Sequence, residues 1–120
     1  MKQTIVMRKD LNMRKGKMIA QGGHAVLAGV KQIENGSNEN HKKDLKQWYD
    51  ESFRKITLSV DSEEELMKIY GEAKDANLNV YLIEDNGVTE FNGVKTKTCL
   101  AIGPHKAEKI DTITANLKLL

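Results

Sequence analysis

Residues 55–83 read K-I-T-L-S-V-D-S-E-E-E-L-M-K-I-Y-G-E-A-K-D-A-N-L-N-V-Y-L-I. Ile56, Leu58 and Val60 alternate with polar neighbours, the period-two signature of a strand. Asp61 or Ser62 then offers a side-chain oxygen to cap a helix, and Glu63, Glu64 and Glu65 fall in its first turn, where the helix dipole favours negative charge. That helix is expected to run to about Ala76 and to end at Asn77. Val80 to Ile83 resumes as a strand. Strand, helix and strand in succession predict an α/β layer structure, with helix-linked strands parallel where they are neighbours.

Upstream, Gln3 to Met7 is a β-branched run read as a first strand. Arg8 to Gly16 is polar, basic and ended by glycine, and therefore a loop. From Lys17 to about Ile33 the period becomes helical, with Ile19, Gly23, Val26, Val30 and Ile33 forming one stripe and Lys17, Gln21, His24 and Lys31 the other side. A polar loop over 35–40 separates this helix from a shorter one at His41–Glu51, with Leu45, Trp48 and Tyr49 inward. Downstream, Asp85-Asn86-Gly87 and Asn92-Gly93 are turn signals. Thr96 to Ile102 forms a fourth strand closed by Gly103-Pro104, and a last helix spans about Lys106 to Leu117. The order β-α-α-β-α-β-β-α predicts one domain over residues 1–120, a four-stranded mixed sheet with helices on both faces.

The third and fourth strands are joined without a helix and should be antiparallel. The carboxyl ends of the first and third strands then share an edge with the start of the fourth, where ligands bind in open α/β sheets. Arg14-Lys15-Gly16-Lys17, Asp85, Thr96 and Thr98 converge there.

Bulk properties narrow the function. The chain has 120 residues, 39% hydrophobic and 30% charged, as in a globular domain. Cys99 is the only cysteine, which excludes an intrachain disulfide and a four-cysteine zinc site. No second histidine or cysteine stands at metal-ligand spacing, so neither a metal nor another cofactor is expected. No leader-like or bilayer-length apolar run is found, and a cytoplasmic location without membrane contact is expected. Net charge is +2, yet Lys2, Arg8, Lys9, Arg14, Lys15 and Lys17 stand against Asp10 alone in residues 1–17. Residues 61–90 carry nine acidic groups against Lys68 and Lys74. Such polarity suits a basic face for phosphate.

Residues 8–24, R-K-D-L-N-M-R-K-G-K-M-I-A-Q-G-G-H, resemble the pattern R-x-D-L-x-M-x-K-G-K-x-A-A-Q-x-x-H of the type II (archaeal- and eukaryotic-type) peptidyl-tRNA hydrolases. L-I-E-D-N-G-V-T at 82–89, T-K-T-C-L-A-I-G-P at 96–104 and the final N-L-K-L-L are similar to further segments of that family, in order. The resemblance implies cleavage of the ester joining a peptide to the tRNA 3′ end, recycling peptidyl-tRNA from stalled ribosomes, and a homodimer. The chain departs from the family at Lys9, Arg14 and Gly22-Gly23, and its N-G-V-K-T turn before the fourth strand is one residue longer. Two glycines within a helix cost roughly 1 kcal/mol each relative to alanine, which suggests a close backbone contact there.

An isolated K-G-K is more often a solvated loop, and an aspartate before a tight turn more often bonds its own backbone. With the resemblance, Lys15 is the first choice for stabilising charge on the ester carbonyl oxygen. Asp85 and Thr96 are then expected to position the attacking water. Arg14, Lys17, Gln21, His24 and Thr98 are expected to bind substrate. Cys99 alternates with the threonines and should point into the core. No nucleophile elbow, Walker loop or Rossmann fingerprint appears, which leaves direct attack by water. A relative that holds tRNA or a protein without cleaving, or an esterase for another acyl group, would share the basic loop.

Overall fold

In the computed structural model, which describes residues 1–88 and 90–120, the alternating segments assemble into a mixed sheet flanked by four helices. The elements are β1 (Lys2–Arg8), α1 (Lys15–Asn35), α2 (Glu39–Glu51), β2 (Lys55–Val60), α3 (Glu63–Asp75), β3 (Val80–Asp85), β4 (Thr96–His105), α4 (Ala107–Thr114) and β5 (Lys118–Leu119). Their spatial order is β3-β4-β1-β2-β5. β1 and β2 are parallel, and β4 runs antiparallel to both β1 and β3.

The sheet has five strands, not the expected four. α4 stops at Thr114, and the chain turns back so that Lys118–Leu119 pairs antiparallel with β2 at Ser59 and Leu58. A two-residue strand is too short to leave a readable period in the sequence. β4 also passes beyond Gly103-Pro104 to His105, because His105 still pairs with Lys2 of β1.

Helices cover both faces, as the alternation requires. Val6, Val60, Leu100 and Ile102 meet Leu66, Ile69 and Ala73 of α3 and Ile110 of α4 on one face. Ile5, Met7, Cys99 and Ala101 meet Ala25 of α1 on the other. α2 rests on α1 through Leu45, Trp48, Val30 and Ile33, whereas Tyr49 lies partly outside. Ser62 is the helix cap, accepting from the Glu65 N–H at 3.0 Å.

The buried face of α1 differs from the expected stripe over its first half. Gln21, Gly22, Ala25, Gly29, Val30 and Ile33 are buried, while Ile19 is 76% exposed. Small side chains let α1 lie close to the sheet, and a run of them carries little hydrophobic signal. The tight approach is at Gly29, where a Cβ would come within 3.3 Å of the Gln3 amide. The glycine pair does not make it. A Cβ at Gly22 would meet Ile5 and Met7 at an ordinary 3.8 Å, and one at Gly23 would meet nothing within 4 Å. Gly23→Ala should therefore raise stability by about 0.5–1 kcal/mol through a less costly helix backbone. Denaturant unfolding checks this, with a higher midpoint at unchanged slope as the expected result.

Candidate active site

β1 and β3 both run antiparallel to β4, so their carboxyl ends share an edge with its first residues. Asp85 is the last residue of β3 and lies opposite Thr96 in the ladder. The start of α1 reaches the same edge after the loop that leaves β1.

Asp85 is the hub. Its Oδ1 accepts from the Lys17 ammonium at 2.9 Å, with only 14% of the lysine and 11% of the aspartate side chain exposed. Its Oδ2 accepts from the Gly87 N–H at 2.9 Å, the Asx-turn bond expected beside a tight turn. The turn role and the ion pair therefore coexist, one on each oxygen. Gly87 has φ of 83°, and a Cβ there would strike the Val94 carbonyl oxygen at 2.3 Å, so only glycine fits. The Gln21 amide makes a long 3.5 Å contact to Oδ1. Phe91 packs 5.8 Å from the Lys17 ammonium.

Gln21 is itself fixed by β4. The Thr98 hydroxyl donates to Gln21 Oε1 at 2.5 Å, and the Cys99 thiol contacts the Gln21 carbonyl at 3.4 Å. Successive strand residues ordinarily face opposite sides. Here the register shifts between Ile83 and Glu84, which pair with Cys99 and Lys97, so Thr98 is the extra residue of a β-bulge. The bulge turns Thr98 and Cys99 together toward α1. Cys99 is in the core as expected, yet it does not alternate with Thr98. Burial pushes its thiol up to about 12, despite the opposing Thr98 hydrogen bond, and it is no nucleophile at neutral pH.

Asp85 is paired with Lys17, whereas the resemblance pointed to Lys15 as the lysine that acts on the ester. Residues two apart on a helix do not share a face. With Lys17 turned to Asp85, Lys15 points elsewhere and stands exposed beside Arg14 at the helix start. Lys17, Gln21 and His24 had already been placed on one side of the helix, and that register was the available signal for the pair. Thr96 donates its hydroxyl to the Val94 carbonyl at 2.9 Å, which leaves its oxygen able to accept. His24 is exposed on the groove that runs from Asp85 along α1. Thr89, the last residue of the 82–89 segment, lies outside the described residues.

The basic face is smaller than the charge count suggests. Lys2 pairs with Asp111, Arg8 with Asp10, Lys9 with Asp61 and Lys17 with Asp85. Among the described residues, Arg14 and Lys15 are the two of the six early cations left without an ion pair. No group of three His, Cys, Asp or Glu side chains is placed to hold a metal among the described residues, and no helix there is long and apolar enough to cross a membrane.

A family model described as "Peptidyl-tRNA hydrolase PTH2" matches residues 1–120. The chain is 42% identical over 120 residues to the peptidyl-tRNA hydrolase of Methanocaldococcus jannaschii, covering the whole of both. It is 42% identical to that of Methanothermobacter thermautotrophicus with the same coverage. A probable peptidyl-tRNA hydrolase 2 of Dictyostelium discoideum is 42% identical over 118 residues, 98% of this chain and 54% of that protein.

The Lys17 hydrogen bond, helped by the Gly87 N–H and the charges of Lys17 and His24, outweighs burial and holds the Asp85 carboxyl below the usual aspartate value of 3.8. Asp85 is thus ionised throughout neutral pH. A depressed value means that its stabilising contribution is fully present above about pH 4 and is lost as pH falls through the lower folded value. Carboxyl NMR should show Asp85 titrating below 3.8 and returning upward in Lys17→Ala. A wild-type value above 3.8 would contradict the pairing.

Proposed function

The chain belongs to the peptidyl-tRNA hydrolase family PTH2 and hydrolyses peptidyl-tRNA, and we propose that the Lys17–Asp85 pair is the centre where the ester is cleaved. The single observation behind this reading is a largely buried ammonium, fixed by a carboxylate, at the edge where three chain segments meet.

Water attacks the ester carbonyl carbon, and charge develops on the carbonyl oxygen. The Lys17 ammonium, already oriented by Asp85, stabilises that oxyanion without reorganising. The Thr96 oxygen and Asp85 accept hydrogen bonds from the water and set its approach. With its carboxyl held low, Asp85 suits positioning better than strong proton abstraction. As the tetrahedral intermediate collapses, the carbonyl–ribose oxygen bond breaks. One proton of the water goes to the ribose oxygen, giving a tRNA with a free 3′ hydroxyl, and the other is released to solvent as the peptide carboxyl group ionises.

Gln21, locked between Thr98 and Asp85, sets the depth of the site, and His24 lies at its rim. Arg14 and Lys15 are free to meet tRNA phosphate. This division transfers the carbonyl role from Lys15 to Lys17, because only Lys17 faces the carboxylate. Work on peptidyl-tRNA from stalled ribosomes in the cytoplasm belongs to the same proposal. So does a homodimer, which is supported by an apolar hollow lined by Met18, Ile19, Val26 and Leu120. Sedimentation at twice the 13.5 kDa chain mass is the expected result.

Lys17→Ala and Asp85→Ala should each lower turnover on peptidyl-tRNA by about 100- to 1,000-fold with the fold retained. Lys15→Ala and Arg14→Ala should instead raise KM and flatten the salt dependence of tRNA binding, because fewer counterions are released. Steady-state cleavage across a salt series separates the two classes. An inactive Lys15→Ala beside an active Lys17→Ala would return the carbonyl role to Lys15.

A further inference from the structure

From Asp85 a groove of about 600 Å³ runs away from the start of α1, between that helix and β3. Tyr81 and Ile83 form its floor, and Leu27, Ala28 and Lys31 stand on the helix side. Its size suits a substrate segment. We propose that this groove holds the peptide arm of the substrate, extended along the free edge of β3. The proposal rests on the hydrolase reading and adds where each arm of the substrate lies.

Two independent features support this occupant. First, β3 ends the sheet, and no strand pairs with its outer side among the described residues. The Gln32 amide donates to the Val80 carbonyl at 3.0 Å, which shows that the Val80 backbone faces outward. The two-residue period of an antiparallel ladder then turns the N–H and C=O of Leu82 outward as well. An extended chain laid there gains main-chain hydrogen bonds that do not depend on its side chains, as strand addition to a sheet edge does. A hydrolase that meets many peptide sequences needs that kind of recognition.

Second, the arms of the substrate are unlike, and so are the two sides of Asp85. Arg14 and Lys15, the exposed cations, stand at the helix start. In the groove Leu27 is 60% and Tyr81 37% exposed, and the charges are mixed, with Lys31 opposed by Glu84. A polyanion fits the first side and a peptide the second. Lys31 lies 14 residues along α1 from Lys17. At 1.5 Å per residue that is about 21 Å, the length of roughly six extended residues.

The test compares N-acetyl-aminoacyl-tRNA with the same tRNA carrying an N-acetylated hexapeptide. Wild type should show a kcat/KM about tenfold higher or more for the long peptide, expressed mainly in KM. Ala28→Trp, which fills the groove, should bring that ratio close to one. Leu27→Glu, at an exposed position where folding is not at risk, should lower the ratio severalfold. Cleavage of the short substrate should persist in both. A wild-type ratio of one, or a ratio unchanged in both variants, would overturn the proposal. Equal losses on both substrates would overturn it in favour of a groove that holds the tRNA end. If wild type cleaved neither substrate, the hydrolase reading would fall and this inference with it.

Discussion

One carboxylate holds the functional edge of this protein together. Asp85 receives the Lys17 ammonium from α1 on one oxygen and the Gly87 N–H from its own turn on the other. Burying either charge alone would be costly, and leaving one unpaired would be strongly destabilising. The pair is therefore kept, and it fixes the rotation of α1 about its axis. With Lys17 inward, Gln21 one turn later meets Thr98, while Lys15 is turned out. The separation of a held ammonium from free cations follows from that single contact.

The bulge at Thr98 is the second constraint. A regular ladder would send Thr98 and Cys99 to opposite faces. The extra residue puts both beneath Gln21, giving its side-chain and main-chain oxygens a partner each. The side chain that touches Asp85 is thereby held from β4 as well as from α1. Such two-sided support is what a site needs if its ammonium is to stay aimed at a developing charge.

Much of this was legible in the sequence, and the failures have physical causes. β2 was legible because Ile56, Leu58 and Val60 alternate cleanly between polar neighbours. The convergence of the K-G-K segment, Asp85 and Thr96 on one edge followed from the helix-free link between β3 and β4. β5 was missed because two residues show no period. The face of α1 was misjudged over its first half, since Gly22 and Ala25 are buried there with side chains too small to carry a hydrophobic signal. The choice of Lys15 over Lys17 for the carbonyl role came from the resemblance, whereas the shared helix side of Lys17, Gln21 and His24 was the register signal for the Asp85 contact. The bulge has no local signal, and the neutralisation of Lys2 and Lys9 depends on partners distant in sequence, whereas Arg8 pairs with Asp10 two residues away.

In the proposed cleavage Lys17 and Asp85 act as one unit. A double-mutant cycle on single-turnover cleavage of peptidyl-tRNA tests it most directly, using Lys17→Ala, Asp85→Ala and the combined variant. Strong non-additivity is expected, with the double variant scarcely slower than either single one, because removing one partner already leaves the other misplaced. Losses that multiply in the double variant would show instead that the two groups act independently.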